Sequence, residues 1–119
     1  MSYRIIFYDL PKSGRVPVVE FLDSLNQDHP DLHDKTFRNI ELLEEYGPEL
    51  GMPFVKHLEE GIYELRSSFG SNASRIMYFY YSKNRNDIVM TNGFLKKTQK
   101  TPKTELDKAK KYKSEYESR

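Results

Sequence analysis

Near Phe54 the hydrophobic period of the chain changes from that of a helix to that of a strand, and this switch restricts the architecture more than any other feature. Before it, Val18, Phe21, Leu22 and Leu25 recur at the i, i+3, i+4, i+7 spacing of one apolar helix face, and Pro17 suits the first turn. Pro30 opens a second helical stretch in which Leu32, Thr36, Ile40 and Leu43 share a stripe, and Gly47 with Pro48 supplies the stop. After the switch, "GIYELRSS" sets Tyr63 and Leu65 against Ile62, Glu64 and Arg66; "SRIMYFYYS" and "DIVMTNGFL" follow, both rich in strand formers. Turn residues at Gly70–Asn72 and Asn84–Asn86 separate these runs, which predicts a three-stranded antiparallel meander.

The two ends complete the order. "YRIIFYDL" is an aromatic and β-branched run stopped by Pro11 and Gly14, which predicts an opening strand. Thr101 and Pro102 predict the start of a final helix with Leu106, Ala109, Tyr112 and Tyr116 on one side. Strand, two helices, three-stranded antiparallel meander and C-terminal helix make an α+β fold with a helix-covered sheet. At 119 residues without an internal repeat or linker, the expectation is a single domain spanning 1–119.

Composition narrows the function classes. The chain has no cysteine, which removes disulfides, thiolate zinc sites and a cysteine nucleophile together, and it suits a reducing cytoplasm. The apolar run at Ile5–Tyr8 is cut short by Asp9 and Pro11, and no later run reaches membrane-spanning length, so neither secretion nor membrane insertion is expected. The formal net charge of +1 conceals a dipole. Residues 94–119 carry nine Lys or Arg against four Asp or Glu, whereas Glu20 to Glu49 holds nine acids against only Lys35 and Arg38. A basic end on a nearly neutral protein suits an anionic partner approached in one orientation, and two solvated faces of opposite sign are the plainer alternative.

The candidate chemistry lies on the three late strands. Glu64 and Arg66 are two apart and share a sheet face; Arg75 opens the next strand and approaches Arg66 if the two pair as a hairpin. The expectation is an ion pair between Glu64 and one arginine, leaving the second free for phosphate. Lys96 and Lys97 close the third strand, with Lys100 and Lys103 beyond. Arginine matches phosphate oxygens bidentately, and lysine adds a point charge that can give up a proton beside other cations. Such a cluster can stabilise a phosphorane-like transition state without metal. No metal site is expected, because His29, His33 and His57 lack a closed ligand motif, and no phosphate-binding glycine loop or GxSxG elbow occurs.

"LEEGIYELRSS", "SRIMYFYY" and "TNGFLKKTQKTPKTELDKAKKY" together resemble the RelE/ParE superfamily of type II toxins, in particular its phage-related HigB-like branch, and "FYDLPKSGRVPVVEFLDSL" resembles that branch's opening strand and first helix. The resemblance implies a RelE-like fold and an mRNA interferase, a cytoplasmic endoribonuclease that enters the ribosomal A site and cuts messenger RNA without a metal or other cofactor. It implies attack of a ribose 2′-hydroxyl on the adjacent phosphate. By the same resemblance Arg66 and Arg75 stabilise phosphate, Lys96 or Lys97 anchors substrate or donates a proton, and Glu64 orients an arginine. Lys100 and Lys103 are the further RNA-binding candidates. Some relatives carry a histidine near the C-terminus, whereas this chain has none after His57, so the resemblance assigns no general base. Tyr112 and Tyr116 could stack on bases, but their apolar stripe favours core packing. The implied partner is a HigA-like helix-turn-helix antitoxin. The alternatives are a non-catalytic ParE-like inhibitor of DNA gyrase and a basic RNA-binding module.

Overall fold

The computed structural model describes residues 3–81, 86–98 and 100–119. Strand β1 (Arg4–Phe7) leads to helices α1 (Pro17–Asp28) and α2 (Pro30–Tyr46), then a 3₁₀ turn over Gly47–Glu49. Four strands follow, β2 (Val55–His57), β3 (Tyr63–Phe69), β4 (Asn72–Tyr80) and β5 (Asp87–Leu95), and α3 (Lys103–Glu117) ends the chain. The sheet order is β1-β5-β4-β3-β2, with β1 parallel to β5 and the other pairs antiparallel. The meander β3-β4-β5 is as the sequence predicts. Of its second turn, Asn84 lies outside the described residues, while the Asn86 carbonyl accepts the Arg4 amide at 2.7 Å.

Two strands extend the expected meander. The opening strand joins as a parallel edge, a long-range pairing that no local turn signals. β2 is only three residues long, too short for its alternation to show.

Helices α1 and α2 cover one sheet face and α3 the other. β4 displays the division. Ile76 and Tyr78 pack with Val18, Leu22, Ile40 and Leu43, whereas Met77 and Phe79 pack with the α3 side. Every residue from Ser74 to Phe79 is therefore buried, which is why "SRIMYFYY" reads as a near-continuous apolar run. Leu43 is fully enclosed, and its burial contributes about 1.5–3 kcal/mol. A single residue, His29, separates α1 from Pro30 at the start of α2, and at the far end Gly47, at φ +55°, turns the chain beneath the ring of Tyr3.

On the opposite face Ala109 is fully buried against Ile62 and Met77. Tyr112 stacks on Tyr8 at 4.7 Å between centroids, and Tyr116 meets Phe79 edge-on at 5.9 Å. Both tyrosines are thus part of the packing that holds α3 to the sheet. Thr101 and Pro102 stand at the start of α3 as predicted. The N-cap position is taken by Pro102 with no side-chain cap, and the Thr101 hydroxyl goes elsewhere.

The central strands outrun their neighbours. β1 ends opposite Met90, and β2 pairs no further along β3 than Leu65. A register shift between Met77 and Tyr78 sets Met77 opposite Asn92 and Arg75 opposite Phe94. The last bond on the β2 edge is from the Arg66 amide to the Phe54 carbonyl at 2.7 Å, and past it the sheet is only three strands wide.

Candidate functional site

A cleft of about 580 Å³ lies at this narrow end, with Arg66, Arg75, Lys96 and Lys35 in its lining together with Asn39 and Phe54. Arg66 and Arg75 are direct cross-strand partners. Lys96 follows β5, its backbone amide bonded to the Ala73 carbonyl at 2.8 Å. Lys35 comes from α2 in the other layer, so the cleft collects cations from both the sheet and a helix.

Glu64 sits behind the arginines at 2% exposure. Its Oε1 lies 3.4 Å from Arg66 Nε and 3.7 Å from Arg75 Nε, and its Oε2 accepts a hydrogen bond from the Thr101 hydroxyl at 3.0 Å. The expected pairing of Glu64 with one arginine is therefore corrected: the carboxylate is shared, and neither arginine is left without a counter-charge. The cause is the register, which puts both guanidinium groups on the Glu64 face of adjacent strands. The contacts engage the inner nitrogen of each group.

Arg75 is almost buried and its Nη1 donates to the Ser74 carbonyl at 2.9 Å. Burial first, and then the Arg66 charge, push its pKa down, while Glu64 pulls it up. The ordinary value for arginine is so high that the group keeps its proton. Arg66 is more open, its side chain one-quarter exposed. Its backbone is tied to the helical layer by Asn39, whose Nδ2 donates to the Arg66 carbonyl at 3.3 Å and to Ser67 Oγ at 2.9 Å. One net positive charge remains on the two-arginine, one-carboxylate group before Lys96 and Lys35 are added. Among the described residues the lining holds no acidic side chain, so the cleft can hold and polarise an anion.

The predicted residues divide. Arg66, Arg75 and Lys96 line the cleft with Glu64 behind them, whereas Lys97, Lys100 and Lys103 are exposed and lie outside the lining. Lys103 pairs with Asp107 one turn along α3 at 3.0 Å. Lys35, Asn39 and Thr101 join the site with no motif in the sequence that marks them for it. Lys35 carried one faint signal, being one of two bases in a stretch with nine acids. The histidines are elsewhere: His57 is exposed against Tyr63, at 4.6 Å between centroids, and His33 contacts Asp34. Among the described residues no three of His, Asp and Glu gather as metal ligands. No helix among them is long and apolar enough to cross a membrane.

The architecture is a mixed α+β one compatible with a RelE-like fold. The model of the family described as phage derived protein Gp49-like (DUF891) matches residues 20–114, and the chain belongs to that family. The family lies within the RelE/ParE-like toxin superfamily, whose members are typically paired with an antitoxin. No curated protein matches the chain.

Proposed function

We propose that this chain is the toxin of a type II toxin–antitoxin pair, of the HigB kind, and that it is a ribosome-dependent endoribonuclease cutting messenger RNA in the A site. The observation that carries the reading is the placement of Arg66 opposite Arg75, with Glu64 behind both and Lys96 in the same cleft. In this reading the 2′-oxygen attacks the adjacent phosphorus, the bond to the 5′-oxygen breaks, and a 2′,3′-cyclic phosphate and a free 5′-hydroxyl result. The arginines take the charge that builds on the non-bridging oxygens, the part of such a reaction worth most to a preorganised site. Lys96 anchors the phosphate and supplies the proton for the leaving 5′-oxygen.

Glu64 is too enclosed to meet substrate, which supports an orienting role for it over that of a base. Among the described residues the cleft lining holds no histidine or carboxylate to accept the 2′ proton, which in this reading passes to water, so the chain itself supplies charge stabilisation and the Lys96 proton. Lys97, Lys100 and Lys103, exposed beyond the cleft, would meet the phosphate backbone of the ribosome or the message. The proposed setting is cytoplasmic, and the proposed partner is a HigA-like helix-turn-helix antitoxin.

The test is induction of wild type and Arg66→Ala in a bacterial host with mapping of transcript ends. Growth arrest with cuts inside translated messages, lost in the variant, is the expected result. Arrest with intact messages would transfer the reading to a ParE-like block of gyrase. Absence of arrest from folded protein would leave only a basic binding module.

A further inference from the structure

Glu64 is held by more than the arginines. Its carboxylate is 2% exposed, so water does not complete its hydrogen bonds, and both arginine contacts from Oε1 are longer than a good ion pair. Among the described residues the close hydrogen bond it receives comes from the Thr101 hydroxyl to Oε2 at 3.0 Å, across 37 residues of sequence. Thr101 follows the stretch that begins at Lys96 and stands immediately before Pro102, the N-cap of α3. Thr101 lies one residue before the N-cap, which is Pro102 and has no side-chain cap, so its hydroxyl is not engaged by the helix end. The hydroxyl is used on the carboxylate instead.

A hydrogen bond at one oxygen restrains the carboxylate's rotation about its last bond, so the Thr101 contact biases which way Oε1 faces. We propose that Thr101 is a positioning residue of the cleft: it orients Glu64, Glu64 orients the Arg66 and Arg75 guanidinium groups, and the lysine-bearing segment is thereby clasped to the arginine pair. As a statement about catalysis this rests on the nuclease reading above; as a statement about the arginines it does not.

Two readouts separate those levels. Thr101→Val keeps the shape and removes the hydroxyl, Thr101→Ser keeps the hydroxyl, and Thr101→Ala serves if valine disturbs the fold. The first readout is the nitrogen–proton NMR signals of the arginine Nε groups. In the valine or alanine variant the Arg66 and Arg75 signals should move and exchange faster with water, and in the serine variant they should stay. Unmoved signals without the hydroxyl overturn the clasp. The second readout is single-turnover cleavage on programmed ribosomes. The valine variant should cut about tenfold more slowly, with message affinity changed less than about twofold, and serine should restore the rate. An unchanged rate overturns the catalytic part and leaves the nuclease reading standing. If wild type itself does not cut, the nuclease reading fails, and the NMR signals still decide whether Thr101 governs the arginines.

Discussion

Arg66 and Arg75 stand directly opposite each other on β3 and β4, a like-charged cross-strand pair at the narrow end of the sheet. Such pairs are destabilising unless a third group offsets them. Glu64 is that group, one carboxylate oxygen facing both inner guanidinium nitrogens. The sheet thus keeps two adjacent cations facing a cleft, which an anionic ligand can use.

Glu64→Gln should accordingly cost about 3 kcal/mol, because it removes the counter-charge and leaves the buried Arg75 beside Arg66 uncompensated. Urea unfolding measures this. Adding Arg75→Met should recover part of the loss, and the coupling between the two changes reports the shared ion pair. A Gln variant as stable as wild type would show that the carboxylate offsets nothing.

The parts of this molecule legible in its sequence are those with a local cause. The apolar stripes of α1 and α2, Pro17 and Pro30 at their starts, and the meander with Glu64 and Arg66 on one face all follow from spacing. What sequence reasoning missed depends on contacts far apart in the chain. The parallel pairing of β1 with β5 joins residues more than eighty apart, and no turn residue marks it. Lys35 enters the cleft because Thr36 beside it packs on Ser74 through a 2.7 Å hydroxyl contact that locks α2 over β4. Thr101 marks the helix start that its sequence predicts, but the bond from its hydroxyl to the buried Glu64 carboxylate spans 37 residues and has no local signal. Lys97, Lys100 and Lys103 share their charge with Lys96 but lie beyond the point where β5 fixes direction.

Gly93 carries a steric requirement. A Cβ added there would lie 2.5 Å from Phe21 Cδ2, so the ring of α1 rests directly on the β5 backbone. Gly93→Ala should destabilise the fold by about 1–3 kcal/mol, as overpacking does. Combining it with Phe21→Leu should relieve the clash, so the double variant should be more stable than the sum of the two single losses implies. Strict additivity in chemical denaturation would argue that the contact is not the cause.

The far end of α3 makes stability depend on acid. Arg119 donates to the Asp9 side chain at 2.9 Å, to the Asp9 carbonyl at 2.7 Å and to Glu115 at 2.9 Å, and Glu115 also accepts the Tyr8 hydroxyl at 2.8 Å. The Arg119 hydrogen bond is the main reason that both carboxyls sit below their ordinary range. A carboxyl lowered in the folded state contributes stability fully present above its unfolded pKa of about 4, and loses it as pH falls through the lower folded value. The thermal midpoint should therefore decline as pH drops below about 4, and Arg119→Gln should make that decline shallower. Parallel midpoint curves for the two proteins over this range would show that the contact does not form in solution.

Cleft and surface lysines should differ in how they respond to salt. On a short single-stranded RNA carrying 2′-deoxy substitutions so that it is bound but not cut, each phosphate contact contributes about 0.7 to the slope of log affinity against log salt. Lys96→Ala and Lys35→Ala should each lower the slope by about that amount, since both side chains line the cleft. Lys103→Ala should leave it unchanged, because that lysine is exposed on α3 and paired with Asp107. On programmed ribosomes, where a much larger phosphate surface is within reach, the Lys103 variant should lose affinity as well. Equal slopes for Lys35→Ala and wild type on the short RNA would confine the anion site to the sheet and remove α2 from it.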